Sequence, residues 1–407
     1  MPLEGRCLGN FMKIGRSIPV SAAVLGVLLA STAAAAPFRP ANDADILEQL
    51  PSRGGGNTDR VARAMQAMLV RDPRDLDVAL RLAQLFVDRA RSESDPRQLG
   101  RAQATLAPWW DENAPPIPVL LLRATIRQSS HQFDPARADL EQIIARDSGN
   151  AQAWLTLATV QQVTGDLDDA RRRCERVAAL ATASIGTLCM ASVDGVSGRA
   201  AAAYAAVNAL PSHAGMLSSE ARVQTWATTL EAELAERLAR PLDAERAYRA
   251  SLAVDPTDAY TIAAYADFLL DAGRASDVVA LIPLDTPVDG LLLRRAQADR
   301  ALGSADAARS ARDLTDRFAA LRERGDRVHL REEARFTLEI LDKPQAALEL
   351  ALENWSVQKE PLDARIALEC ALAAREPHAV DDIVRWVERT RLEGVHLHAL
   401  VDRVRAP

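Results

Sequence analysis

Cys174 and Cys189 are spaced in a way that suggests covalent chemistry. They flank a turn near residues 181–182 at equal distances. If the flanking segments are antiparallel helices, equal distance from the turn means equal height, and the two sulfurs would come within disulfide reach. The expectation is a bridge closing a 15-residue loop; two small residues at packed core positions are the alternative. Cys370 would then be unpaired and buried on the inner side of its helix.

Other reactive groupings are missing from the sequence. His131, His213, His329, His378, His396 and His398 never stand at the H-E-x-x-H spacing, and no cysteines form C-x-x-C, so neither a metal nor a cofactor is expected. Gly54-Gly55-Gly56 lacks the Lys-Ser/Thr of a phosphate loop and reads as a linker, and G-x-S-x-G does not occur. Carboxylates are abundant, yet no pair of them is marked as catalytic. The expectation is a protein without enzymatic activity. The alternative from another class is a hydrolase whose site is assembled from scattered carboxylates.

Composition narrows the class further. The 407 residues are 48% hydrophobic, too apolar for a disordered chain. They carry 49 Lys+Arg against 56 Asp+Glu, a net charge of −7, so nucleic acid is not expected as a partner. One long apolar run exists, at residues 18–30. Lys13 and Arg16 precede it, and small residues 31–36 and Pro37 follow. That order describes a secretory signal peptide cut after Ala35, with Met12 an alternative start to Met1. The mature protein would be periplasmic or otherwise exported, with no stable membrane span after cleavage.

The elements that position any site come from an internal repeat. Pairs of small residues twelve apart recur at Ala124/Ala136, Ala158/Ala170, Ala191/Ala203, Ala232/Ala244, Ala296/Ala308, Ala334/Ala346 and Ala367/Ala379, with Ala266/Val278 a looser member. Seven residues after the first of each pair, four of eight positions are glycine, namely Gly165, Gly198, Gly273 and Gly303. Glycine's share of the chain would give about 0.4. Small residues let two antiparallel helices approach closely, glycine ends the first helix, and a single hairpin cannot bury its apolar face without stacked neighbours. The 41-residue step from Ala191 to Ala232 exceeds a repeat by seven residues. Seven is nearly two helical turns, so a lengthened helix would keep its buried face.

These units resemble the tetratricopeptide repeat, best through Trp154, Leu157, Ala158, Gly165 and Ala170, and through Ala232, Ala244, Tyr248 and Asp255-Pro256. The resemblance implies an all-α solenoid of stacked antiparallel hairpins wound as a right-handed superhelix. The expected order is a signal peptide (1–35), a flexible leader (36–57), N-terminal hairpins (58–116) with a proline-rich joint at 107–118, a repeat array (117–322), and degenerate C-terminal repeats with a solvating terminal helix (323–407).

The resemblance also implies a concave groove lined by first helices. Its family positions fall on Leu121, Thr125, Gln128, Leu155, Thr159, Gln162, Glu233, Glu236 and Asp267. The early groove is neutral and amide-bearing, suited to an extended backbone, while the later groove is acidic and suited to a basic segment. Trp226 is placed facing it, whereas Trp154, Trp355 and Trp386 are core and Trp109-Trp110 fill the end of a hairpin. The expected partner is a protein or peptide. The expected role is a scaffold or assembly factor in the cell envelope, with a periplasmic chaperone-like subunit as the rival among binding proteins.

Overall fold

The computed structural model describes residues 57–92, 95–210, 218–323, 325 and 327–406. The expected signal peptide, its cleavage site and the leader as far as residue 56 lie outside the described residues. The described residues fall in one compact unit. Among them every regular element is helical. No helix among them is long and apolar enough to cross a membrane.

The chain begins with α1 (Asn57–Arg71), α2 (Leu76–Ser92), α3 (Arg97–Thr105) and the short α4 (Ala107–Trp110). Eight hairpins follow: α5 (Ile117–Ser129) with α6 (Phe133–Arg146), α7 (Ala151–Thr164) with α8 (Leu167–Leu180), α9 (Ala183–Asp194) with α10 (Ala200–Asn208), and α11 (Ser218–Arg237) with α12 (Pro241–Val254). The remaining four are α13 (Ala259–Asp271) with α14 (Ala275–Leu281), α15 (Asp289–Ala301) with α16 (Ala307–Glu323), α17 (Leu330–Glu339) with α18 (Pro344–Val357), and α19 (Pro361–Ala374) with α20 (Asp381–Thr390). α21 (Val395–Arg405) closes the stack against α19. The odd-numbered helices from α5 to α19 touch one another in sequence and form the inner wall. The lengthened helix expected after Ala191 is α11, which runs for 20 residues.

Each of the eight hairpins turns through a residue with left-handed backbone. In six it stands seven positions after the first small residue: His131, Gly165, Gly198, Ala239, Gly273 and Gly303, with φ between 55° and 88°. Four of these turns are the glycines of the sequence pattern. His131 and Ala239 adopt the same conformation with a Cβ, which costs roughly 1–2 kcal/mol that the surrounding packing must offset. In the last two hairpins the left-handed residue comes one position later, at Asp342 and Arg375.

That late turn corrects the repeat frame. The second helices advance by one residue, so Ala347 and Val380 are fully buried in place of Ala346 and Ala379. In the α15–α16 hairpin the second helix starts late after Gly303, and Ser310 rather than Ala308 is the buried small residue. The frame is otherwise filled by buried side chains, including Ala124/Ala136, Ala158/Ala170 and Ala266/Val278.

Other parts of the core follow from local chemistry. Asn150 caps α7 by accepting the Ala153 N–H at 3.0 Å. Glu360 and Asp363 cap α19 reciprocally with Pro361 at its first position, where a missing N–H is harmless. Trp109 is buried against Ala79 and Val119 at the end of the first hairpins. The terminal helix is not merely solvating, because α21 buries Leu397, Leu400, Val401 and Val404 in the largest core cluster.

That largest cluster gives the stack its particular shape. It joins Trp154, Cys174, Cys189 and Val193 of the second and third hairpins to Trp355, Ile366, Trp386 and Leu400 of the last ones. Here the Trp355 and Trp386 rings pack edge-to-face with centroids 5.2 Å apart. The C-terminal repeats therefore lie against the inner side of the early ones.

Candidate functional site

Contacts made by the main chain of the early hairpins fix this closure. The Lys359 N–H donates to the Val163 carbonyl at 2.7 Å. The Glu393 carboxylate accepts the Ala200 N–H at 3.1 and 3.3 Å, capping α10 from the far end of the chain. Gly198, left-handed at φ +75°, lies so close to the loop after α20 that a Cβ would stand 2.7 Å from the Arg391 Cβ. Gly165 meets the same situation against Lys359 and Trp386, with φ +88°. These two glycines have two reasons to lack a side chain, a left-handed turn and a close neighbour.

Two cavities among the described residues border this closure, of about 650 Å³ and 330 Å³. Val163 and Glu360 line both, so the residues around the Lys359–Val163 hydrogen bond stand between them. The larger cavity is walled by the end of α2, by α7, α9 and α11, by the turn before α13 and by the start of α19.

The sequence-derived groove residues divide among these surroundings. Leu155, Thr159 and Gln162 of α7 and Glu233 of α11 line the larger cavity together. Gln128 lines the smaller one, beside His131, His329 and Glu332. Leu121 and Thr125 line neither. Leu121 packs on the core around Leu120 and Leu157, and its carbonyl accepts the Thr125 hydroxyl at 2.9 Å.

Glu236 and Asp267 serve the framework. Glu236 accepts the Tyr248 hydroxyl at 3.0 Å; burial raises its carboxyl to about 7, outweighing that hydrogen bond. Asp267 stands between Arg294 and Arg335, each at 2.6 Å. Burial would raise its carboxyl, but the two guanidinium groups prevail and hold it at about 2. The later groove is thus closed by inter-repeat ion pairs at Asp267, and likewise at Asp271, which Arg365 grips in a fork at 2.5 and 2.6 Å.

The larger cavity also holds residues that the repeat positions did not name. Tyr260, at the start of α13, is 63% exposed, and its ring lines this cavity. Its hydroxyl donates to Glu233 at 2.5 Å. The negative charge of Glu233, followed by burial and then Glu360, holds the phenol well above its ordinary value. Trp226 lines the cavity from α11. Glu360 enters from the opposite wall, paired with Arg331. An acidic N-cap before Pro361 was the available signal for Glu360, but nothing in a repeat frame tells which distant hairpin it faces. Cys174 and Cys189 stand at the edge of the same cavity with their sulfurs joined and their Cα atoms 5.4 Å apart. Cys370 is buried and free, its thiol pushed up to about 12 by burial and then by Glu369.

Residues 128–184, spanning the turn of the α5–α6 hairpin through α8, match the tetratricopeptide repeat family. That stretch is tetratricopeptide-repeat sequence, and the remaining hairpins share its stacked antiparallel form. No curated protein matches the chain in sequence. Among solved structures, it is similar to a chain of the APC/C hetero-tetramer Cut9-Hcn1, with 11% identity and a TM-score of 0.43, covering 88% of this chain and 61% of that one. This chain thus spans less than two thirds of that relative's length. It is also similar to a tetratricopeptide repeat protein from Parabacteroides merdae (11% identity, TM-score 0.37, covering 76% and 99%). Yeast Tom70 is a third such structure (10% identity, TM-score 0.39, covering 86% and 85%).

Proposed function

We propose that this tetratricopeptide repeat protein is an exported, non-enzymatic scaffold or assembly factor that holds a polypeptide segment in its larger cavity. The carrying observation is the cavity's lining. The Gln162 amide, which offers both a donor and an acceptor, stands on the same wall as Leu155 and across from the rings of Trp226 and Tyr260. A few polar groups set among apolar and aromatic surface fit a peptide backbone with side chains on either side. Export is supported by the basic, apolar and small-residue order of residues 13–37.

The cavity's carboxylates favour binding over catalysis. Asp258 caps α13 through the Thr261 N–H at 2.9 Å, Asp255 accepts from Thr257, and Glu360 is engaged by Arg331. Glu236, whose carboxyl is held near neutrality, lines neither cavity. A photo-crosslinking residue at Thr159, with a control at the 84% exposed Leu242 on α12, tests the reading in the producing cell. Polypeptide adducts specific to position 159 are expected. Identical adducts from both positions, or turnover of a hydrolase substrate by the purified protein, would overturn it.

A further inference from the structure

We propose that the larger cavity recognises a basic residue, with an arginine or lysine side chain of an extended segment lying against Trp226 and Tyr260 and reaching the carboxylates of Glu233 and Glu360. This rests on the reading of that cavity as a polypeptide site and names the chemistry of the partner.

Charge is the first argument. On the α2 wall Asp88 faces Arg222 at 3.9 Å, both side chains about half or more exposed, and the two cancel, while the exposed Arg91 adds one positive charge. Farther in, Glu233, Asp255, Asp258 and Glu360 are opposed by Arg237. That guanidinium is withdrawn: its Nη1 is buried and lies near Gly195, and its Nη2 is 3.7 Å from Glu233. Counting Arg91, the lining carries five carboxylates against three guanidinium groups, so a cation is favoured over an anionic ligand. The carboxylates also influence one another. Glu233 and Glu360 both act on the Tyr260 phenol, and Glu360 is itself raised by burial, against Arg331, with Asp363 and Glu233 adding to the rise.

Ring exposure is the second. Tyr260 is 63% exposed as a residue while lining a cavity, which leaves surface that a partner would cover. Its hydroxyl is tethered to Glu233, so the ring is held in place beside a carboxylate. A guanidinium or ammonium group over an aromatic face is attracted by the ring quadrupole, and more strongly where water is excluded. Gln162 distinguishes a peptide from a free polyamine, since its amide matches the donor and acceptor of a main-chain unit.

Binding of fluorescent nonapeptide libraries with a fixed central residue tests the proposal on the full chain at low salt. The Arg and Lys libraries are expected to bind at least tenfold more tightly than the Gln library, and the Glu library most weakly. Glu233→Gln keeps an acceptor for the Tyr260 hydroxyl and should remove most of the Arg preference. Tyr260→Ala, at an exposed ring, should do the same without lowering the melting temperature, and Tyr260→Phe should retain part of it. Equal binding of all libraries, or tightest binding of the Glu library, overturns the basic-residue proposal while the polypeptide site stands. Full displacement of the Arg library by spermidine at a concentration where monomeric arginine amide has no effect also overturns it, in favour of a free polyamine. Failure of every library to bind, with the protein folded, overturns the site itself.

Discussion

The main-chain N–H of Lys359 donates to the carbonyl of Val163 at 2.7 Å, joining the turn before α19 to the end of α7. A regular solenoid contacts only its neighbours. This one also contacts itself across several hairpins, and the contact supplies the far wall of the larger cavity. Glu360, next in sequence, is the charge delivered there.

The closure predicts a difference between glycines of similar conformation. Gly198 and Gly273 have φ of +75° and +70°, but a Cβ at Gly273 meets nothing within 4 Å. Gly273→Ala should cost about 1 kcal/mol, the left-handed penalty alone. Gly198→Ala should cost about 2 kcal/mol more, because the Arg391 Cβ and main chain must move. Urea unfolding of the two variants measures both.

Glu236 predicts an inverse dependence of stability on pH. Its carboxyl titrates near 7 when folded and at 4.5 when unfolded, so the folded state binds more protons between these values. Stability should therefore fall as pH rises from about 4.5 to 7, by at most about 3 kcal/mol, and level off above. Glu236→Gln preserves an acceptor for Tyr248 and should abolish this part of the slope in unfolding curves from pH 4 to 8.

Asp267 predicts the opposite sign. Its carboxyl is depressed to about 2, so its contribution is present above the unfolded value of 3.8 and lost as pH falls through 2. At pH 7, Asp267→Asn leaves Arg294 and Arg335 buried without their counter-charge and should cost roughly 3–5 kcal/mol by denaturant unfolding.

The cysteines predict a mass difference. Alkylation of unfolded protein should add two more labels with reductant than without, from Cys174 and Cys189. Replacing both by alanine removes a 15-residue loop closure and should cost on the order of 3 kcal/mol. Cys370 in the folded protein should resist alkylation at pH 8, since burial keeps its thiol protonated.

What the sequence made legible was local. The helical hairpins, the turns at Gly165, Gly198, Gly273 and Gly303, and the spacing of Cys174 and Cys189 are set within one repeat, where helical periodicity and backbone conformation suffice. Turns at His131 and Ala239 escaped because packing, not residue type, imposes their left-handed backbone. Ala347 and Val380 were displaced from their frames by one late turn residue each, which composition does not announce. Groove positions carried over from the family located Thr159, Gln162 and Glu233 on the larger cavity. They did not separate these from Asp267, because the partners of Asp267, Arg294 and Arg335, come from two other repeats. Tyr260 and Glu360 were not found at all, since their positions become meaningful only when the last repeats fold back onto the early ones.

Hydrogen exchange at the amides of Lys359 and Ala200 tests the closure most directly, because each is bonded across the seam rather than within its own helix. The closed stack predicts that both are protected, and that Gly198→Ala exposes them together before the α7 core opens. Exchange of both at the rate of exposed turn amides, with α7 still protected, would contradict it: the last hairpins would not rest on the early ones, and the larger cavity would lose the wall that carries Glu360.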